Sequence, residues 1–262
     1  MADLGKYVPW ALLLGTTSVP FRNLSVLNEN LEEAVSSDGA LYPELIAVLQ
    51  GRPMIRATLL DPSLVTDFQA VGALETYTQV KVVWRAVTEQ GGPSGGYISV
   101  TIALGALFPL SMTSDFEGIA TTDIECRARF AAGTALTIGT DSASRSDTNV
   151  AYRASSLVLG SDTVTKIQNV TVNWNWGVIQ EEMLEPDHYG YDTVNQEGSA
   201  ELSDISLIDE GRLEDGGEET VTLTLADLVT PASTVAFSFG TSFVKATFSG
   251  RTAAFTWRKL VD

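Results

Sequence analysis

His188 is the only histidine in the chain, so any imidazole general base or imidazole metal ligand must be this residue. It sits in the acidic turn Glu185-Pro186-Asp187-His188-Tyr189-Gly190, with no serine or cysteine nucleophile at a spacing that known triads use. A solvated turn histidine is the plainer reading. Carboxylates are abundant, but glycoside hydrolysis needs one acid and one base or nucleophile at a set separation, and nothing in the order of residues singles out such a pair. The acidic stretches 181–192 and 210–219 hold enough oxygens for a calcium loop but lack EF-hand spacing, so solvated loops explain them better. The run Gly91-Gly92-Pro93-Ser94-Gly95-Gly96 has neither the lysine nor the following helix that cradles phosphate, and reads as a hairpin loop. Trp174 and Trp176 alternate with Asn173 and Asn175, which on a strand puts both rings on one face. Such a pair can form a sugar platform, but more often it is sheet core or subunit interface. Cys126 is the only cysteine, which excludes an internal disulfide and a cysteine zinc site. No cofactor, no metal and no enzymatic activity are expected.

The elements that carry these residues are strands. Tyr97–Leu104, Thr220–Leu225 and Asn169–Trp176 alternate with period two, and Gln79–Val87 does so imperfectly. β-Branched and aromatic residues fill them, as a pleated, half-buried surface prefers. Turn residues punctuate the runs at Ser37-Asp38-Gly39, Gln90–Gly96 and Glu214–Gly217. One helix is expected after Asp61-Pro62-Ser63, with Asp61 as N-cap and Pro62 at the first helical position.

With 44% hydrophobic residues in 262, the chain can build real cores. Its 33 acidic against 16 basic residues give a net charge of −17, which argues against gripping nucleic acid, because phosphate binding needs lysine and arginine. Lys6 is the only early positive charge and the apolar run Trp10–Leu14 is short, so neither a secretory leader nor a membrane span is expected. The sequons Asn23-Leu24-Ser25 and Asn169-Val170-Thr171 therefore carry no weight.

The chain also repeats itself. Leu13-Leu14-Gly15-Thr16, Val19 and Asn28-Glu29-Asn30 match Val158-Leu159-Gly160-Ser161, Val164 and Asn173-Trp174-Asn175 at a constant offset of 145 (160 − 15). An acidic stretch, a turn and a tyrosine follow in each: Glu32-Glu33, Asp38-Gly39, Tyr42, against Glu181-Glu182, Asp187-His188-Tyr189-Gly190, Tyr191. Strands ending in Asp61 and Asp209 come next. Phe116-Glu117-Gly118 and Phe248-Ser249-Gly250 then lead into closing strands. The ordered set points to two copies of one domain, 1–143 and 149–262, joined by the polar linker 140–148.

The order of pieces is a Leu-Gly strand, a longer strand, a turn with Asp38-Gly39 and Tyr42-Pro43, then Thr58-Leu59-Leu60-Asp61 and a short helix. A closing strand follows at Phe116–Ala120. This order resembles the tail tube (major tail) proteins of long-tailed bacteriophages. The second copy departs from it: Tyr191-Asp192 replaces Tyr-Pro, and Glu210-Gly211-Arg212 follows Asp209. The resemblance implies a mostly-β chain of two tandem β-sandwich or barrel domains, each with about one short helix. It implies a virion tail protein assembled in the host cytoplasm. Homotrimeric, pseudo-hexameric rings would stack into a tube, with other tail proteins as further partners and no membrane insertion by this chain. DNA would be a non-specific passing cargo, repelled by an acidic lumen. The candidate assembly loops are then Asp38, Gly39, Tyr42 and Pro43 in copy one and Asp187, His188, Tyr189 and Tyr191 in copy two. The candidate lumen acids are Glu29, Glu32, Glu33, Glu181 and Glu182. A tail hub component with duplicated tube domains, a carbohydrate-binding β-sandwich and a glycoside-active enzyme remain as alternatives.

Overall fold

The computed structural model describes residues 6–35, 45–68, 78–88, 91–128, 136–145, 150–180, 189–194, 196–203, 215–249 and 252–260. About three quarters of them are strand. The first half runs β1 (Lys6–Leu14), β2 (Thr17–Val19), β3 (Phe21–Val35), β4 (Leu45–Leu59), β5 (Thr78–Val87), β6 (Pro93–Asp115), β7 (Thr121–Ala128) and β8 (Thr137–Gly139). The second runs β9 (Tyr152–Leu159), β10 (Asp162–Val164), β11 (Ile167–Asn173), β12 (Trp176–Gln180), β13 (Tyr189–Val194), β14 (Glu197–Leu202), β15 (Gly217–Asp227), β16 (Thr234–Ser249) and β17 (Thr252–Lys259).

All pairings are antiparallel. In the first half they follow the order β2-β1-β5-β6-β7-β4-β3. In the second they follow β10-β9-β15-β16-β17-β14-β11. Matched strand for strand, the two orders are the same. Irregularities repeat as well. β1 skips Trp10 in its ladder with β5, and β9 skips Ser155 in its ladder with β15, an offset of 145 (155 − 10). The first turn of each half holds a left-handed glycine, Gly15 at φ 63° and Gly160 at φ 58°, a region that side chains with a Cβ avoid. Their N–H groups donate to the carbonyls of Gln79 (2.6 Å) and Thr220 (2.9 Å), residues of the corresponding strands. Ladder positions align Phe21 with Ile167, because each stands opposite the last leucine of its partner strand, Leu59 or Leu202. That offset is 146, one more than the ungapped sequence match gives. Two residues, Thr165 and Lys166, connect β10 to β11 where Pro20 alone connects β2 to β3.

The halves are not separate sheets. β6 is 23 residues long and changes partner along its length. It pairs with β5 as far as Gly105 and with β11 from Ser111 to Asp115. Pro109, which has no N–H to donate, and a bulge at Leu110 lie between the two stretches. The sheet of fifteen strands is therefore hydrogen-bonded across the expected boundary between 143 and 149, over one contiguous apolar core. β12 and β13 form a separate two-stranded ladder. Phe237, Phe239, Phe255, Trp174 and Trp257 are the largest buried side chains among the described residues of the second half. Burial of each contributes roughly 1.5–3 kcal/mol relative to exposure.

The helix after Asp61 forms at Pro62–Phe68, as a 3-10 helix rather than an α-helix. Asp61 caps it as expected, its Oδ1 accepting from Ser63 N at 3.0 Å and Ser63 Oγ at 2.5 Å. The corresponding stretch of copy two, 204–214, lies outside the described residues, and the described part of that half holds no helix. The polar linker is tied down over its described part. β8 pairs with β6 just before it, Lys81 Nζ meets Asp141 Oδ2 at 2.9 Å, and Trp10 Nε1 donates to Ala143 O at 2.9 Å.

Candidate assembly surface

The seam between the halves is the most informative surface on the molecule. Met112 stands opposite Val172 and Ser114 opposite Val170, with all four side chains buried. Trp174 N donates to Leu110 O at 3.0 Å just beyond the ladder. The start of β9 closes over the β6–β7 hairpin. Ala120 N donates to Tyr152 O at 2.6 Å, Ala154 N to Ser114 Oγ at 2.9 Å, and Arg153 Nη1 to Phe116 O at 3.0 Å. The Arg153 guanidinium also lies 5.7 Å from the Phe116 ring centre. A cleft of about 710 Å³ opens beside this junction. Its wall mixes Arg153 and Lys166 with Asp115 and Glu117, so it favours neither sign of charge.

The counterparts of these seam residues stand open. Ladder positions against β7 and β17 match Met112 to Phe248, because Thr122 pairs with Met112 and Ala253 with Phe248 (253 − 122 = 131). Met112 is 0% exposed and Phe248 is 52% exposed. Tyr152 matches Tyr7 at the offset of 145; the first is 6% exposed and the second 43%. Val170 and Val172 are buried, whereas their counterparts Leu24 and Val26 are only partly buried. Among the described residues, β3 pairs along one edge only, with β4. Beyond Val244, β16 has β17 on one side and no described strand on the other.

On the first half, Glu125 gathers a buried polar cluster. Its side chain is 3% exposed and bridges Arg56, at 2.6 Å, and Arg127. Desolvation is offset here by charge-assisted bonds on both carboxylate oxygens. Cys126, next in sequence, is fully buried on the core side. That burial, and secondarily the Glu125 charge, push its thiol well above the ordinary value. Such a cysteine is inert packing.

Of the candidate assembly loops, Asp38, Gly39, Tyr42, Pro43, Asp187 and His188 lie outside the described residues, as do the lumen acids Glu181 and Glu182. Tyr189 and Tyr191 fall on β13, with backbone partners Gln180 and Val178. Glu29, Glu32 and Glu33 fall on β3, opposite Arg52, Val48 and Ala47 of β4. The acidic stretches weighed for calcium are mostly undescribed, and no group of three or more metal-ligating side chains forms among the described residues. Trp174 lies in the sheet core, the commoner of the two readings of the tryptophan pair, and not on a sugar platform. Asn175 takes a left-handed φ of 46°, which breaks the alternation, and Trp174 is fully buried edge-on to Phe237, 6.3 Å between centres. The first two residues of the glycine-rich run belong to the β5–β6 hairpin connection, with Thr88 N donating to Gly92 O at 2.7 Å, whereas Pro93–Gly96, expected as loop, already form the start of β6. Sequence reading missed the seam residues. Tyr7 and Tyr152 share the 145 offset and were a legible signal; Met112 and Phe248 align only through the ladders.

Compared with known proteins, the chain matches no family model and no curated relative.

Proposed function

We propose that this chain is a structural subunit of a phage tail tube, whose copies form stacked rings around a bore for DNA. The observation that supports it most is that two halves of identical strand order are hydrogen-bonded edge to edge within one chain. A contact between equivalent units that is not two-fold symmetric propagates, and it gives a ring when its rotation closes. Three chains supply six such units, which makes a trimer with pseudo-sixfold symmetry the expected ring. The net charge of −17 suits a conduit for DNA, since a wall of like charge lets the phosphate backbone slide where a basic wall would hold it. Part of that charge, on Glu29, Glu32, Glu33, Glu181 and Glu182, is assigned to the lumen.

Electron microscopy of the purified full-length chain tests this reading. Rings or tubes with a central bore and threefold symmetry are expected. A strict sixfold ring of six chains would reject the trimer, and a monodisperse monomer at all concentrations would reject the assembly role.

A further inference from the structure

We infer that the exposed edge of β16, centred on Phe248, seats on the free edge of β3 and on Tyr7 of a second copy of this chain, reproducing between chains the seam that joins the halves within it. The inference rests on the assembly reading above and adds to it the surface, the register and the polarity of the contact.

The internal seam is the template. There β11 of the second half adds to β6 of the first, and Tyr152 covers the hairpin that follows β6. The seam's apolar participants Met112, Tyr152, Val170 and Val172 have counterparts that are more exposed. Phe248 stands where Met112 is buried, and Tyr7 where Tyr152 is buried. Val26 stands where Val172 is buried. Open strand edges and large exposed aromatics both invite pairing, and here they coincide at equivalent positions. Carrying over the internal register places Val26 opposite Phe248, Leu27 opposite Thr247 and Ser25 opposite Ser249. The occupant is fixed by this match. The edge that complements β16 is the edge of β3, which belongs to the same sequence, and a single chain cannot join its own two ends without a ring. The contact is heterologous, with β16 on one copy and β3 on the next, so it runs head to tail.

Cysteine cross-linking tests the register and the polarity together. Directly opposed residues in an antiparallel ladder have Cα atoms about 4.5–5.5 Å apart, within disulfide reach. Val26 is only partly buried at the margin of the core and Phe248 lies at the surface, so both positions have room for a cysteine. Under mild oxidation, a mixture of Val26→Cys chains and Phe248→Cys chains should give a covalent dimer that grows no further. The double variant should give a ladder ending at the ring size, and neither single variant alone should link. Phe248→Asp should raise the concentration needed for assembly at least about tenfold while the circular dichroism spectrum of the chain stays unchanged. Rings that form without these cross-links and tolerate Phe248→Asp would overturn the seam and leave the assembly reading standing. Linking within one single variant would overturn the head-to-tail polarity. A wild-type chain that never assembles would overturn both.

Discussion

Replacing Gly198 with alanine should destabilise the protein, and the reason lies in a size exchange between the halves. In the second half Gly198 on β14 stands opposite Trp257 on β17. At the matching point of the first half, Ile55 on β4 stands opposite Cys126 on β7. One ladder pairs nothing with the largest side chain; the other pairs a branched aliphatic with a small one. A Cβ added at Gly198 would lie 2.0 Å from Trp257 Cζ2, where carbon atoms at rest sit about 3.5–4.0 Å apart. The ring has to move by about 1.5 Å, yet it is 2% exposed and packs against Phe239 at 5.6 Å between centres. Overpacking of this kind costs about 1–3 kcal/mol, against a gain of about 0.4–1 kcal/mol from stiffening the unfolded chain. The net loss should lower Tm by a few degrees, since a chain of this size loses about 2 °C per kcal/mol. Trp257→Cys alone leaves a cavity and should cost about 3–5 kcal/mol. The double variant Gly198→Ile/Trp257→Cys installs the pair of the first half, and it should be more stable than the sum of Gly198→Ile and Trp257→Cys by about 1–3 kcal/mol. Urea unfolding followed by far-ultraviolet circular dichroism measures all four corners of the cycle. A neutral Gly198→Ala, or additive single substitutions, would refute the packing argument and with it the equivalence of the two ladders.

Glu125→Ala should cost about 1.5–3 kcal/mol, because Arg56 and Arg127 are partly exposed and can hydrate once freed. The pair Arg56→Ala/Arg127→Ala should cost more, about 3–5 kcal/mol, because it strands a buried carboxylate; the reverse order in urea unfolding would refute the cluster. Because burial raises the Cys126 thiol, the native state keeps a proton that the unfolded chain releases above the ordinary value of about 9. Stability should be full below that pH and fall by about 1.4 kcal/mol per unit above it, a slope that Cys126→Ala should remove. His188→Ala should leave assembly and infectivity near normal, and loss of a hydrolytic activity in that variant would overturn the structural role.

The strands were legible because their chemistry is local. Alternation marked β5, β6, β11 and β15, and Asp61-Pro62-Ser63 marked the short helix at Pro62–Phe68 through its cap. The repeat was legible where its turns are, since Gly15 and Gly160 must both take positive φ. Its later part was not. Phe116 and Phe248 match by eye at an offset of 132, but Phe116 falls in the bend after β6 and the ladders set Phe248 at the position of Met112 (248 − 112 = 136), while the closing strands align Thr121 with Thr252 (252 − 121 = 131), because the β6–β7 hairpin is longer than the β16–β17 hairpin. The joining of the halves was illegible for a different reason. Nothing in the composition of Ser111–Asp115 says that its free edge will accept β11 and not solvent. That choice is tertiary, made by burial of Met112 against Val172.

Charge and seam pull in opposite directions, and salt separates them. Each copy carries −17, so bringing copies together costs repulsion over the whole surface. The contact itself is formed by Phe248, Val26 and Tyr7 and by backbone hydrogen bonds, none of which salt weakens appreciably. Raising ionic strength from about 0.1 M to 1 M shortens the screening length from about 10 Å to about 3 Å. Repulsion between copies then fades, while apolar burial is kept or strengthened. The threshold concentration for assembly, measured by light scattering, should therefore fall as sodium chloride rises. Phe248→Asp should make the dependence steeper, because it adds one more repelling charge at the joint. A seam held by ion pairs would behave in the opposite way, loosening in salt. Assembly that weakens with salt would thus refute the apolar seam even if rings form.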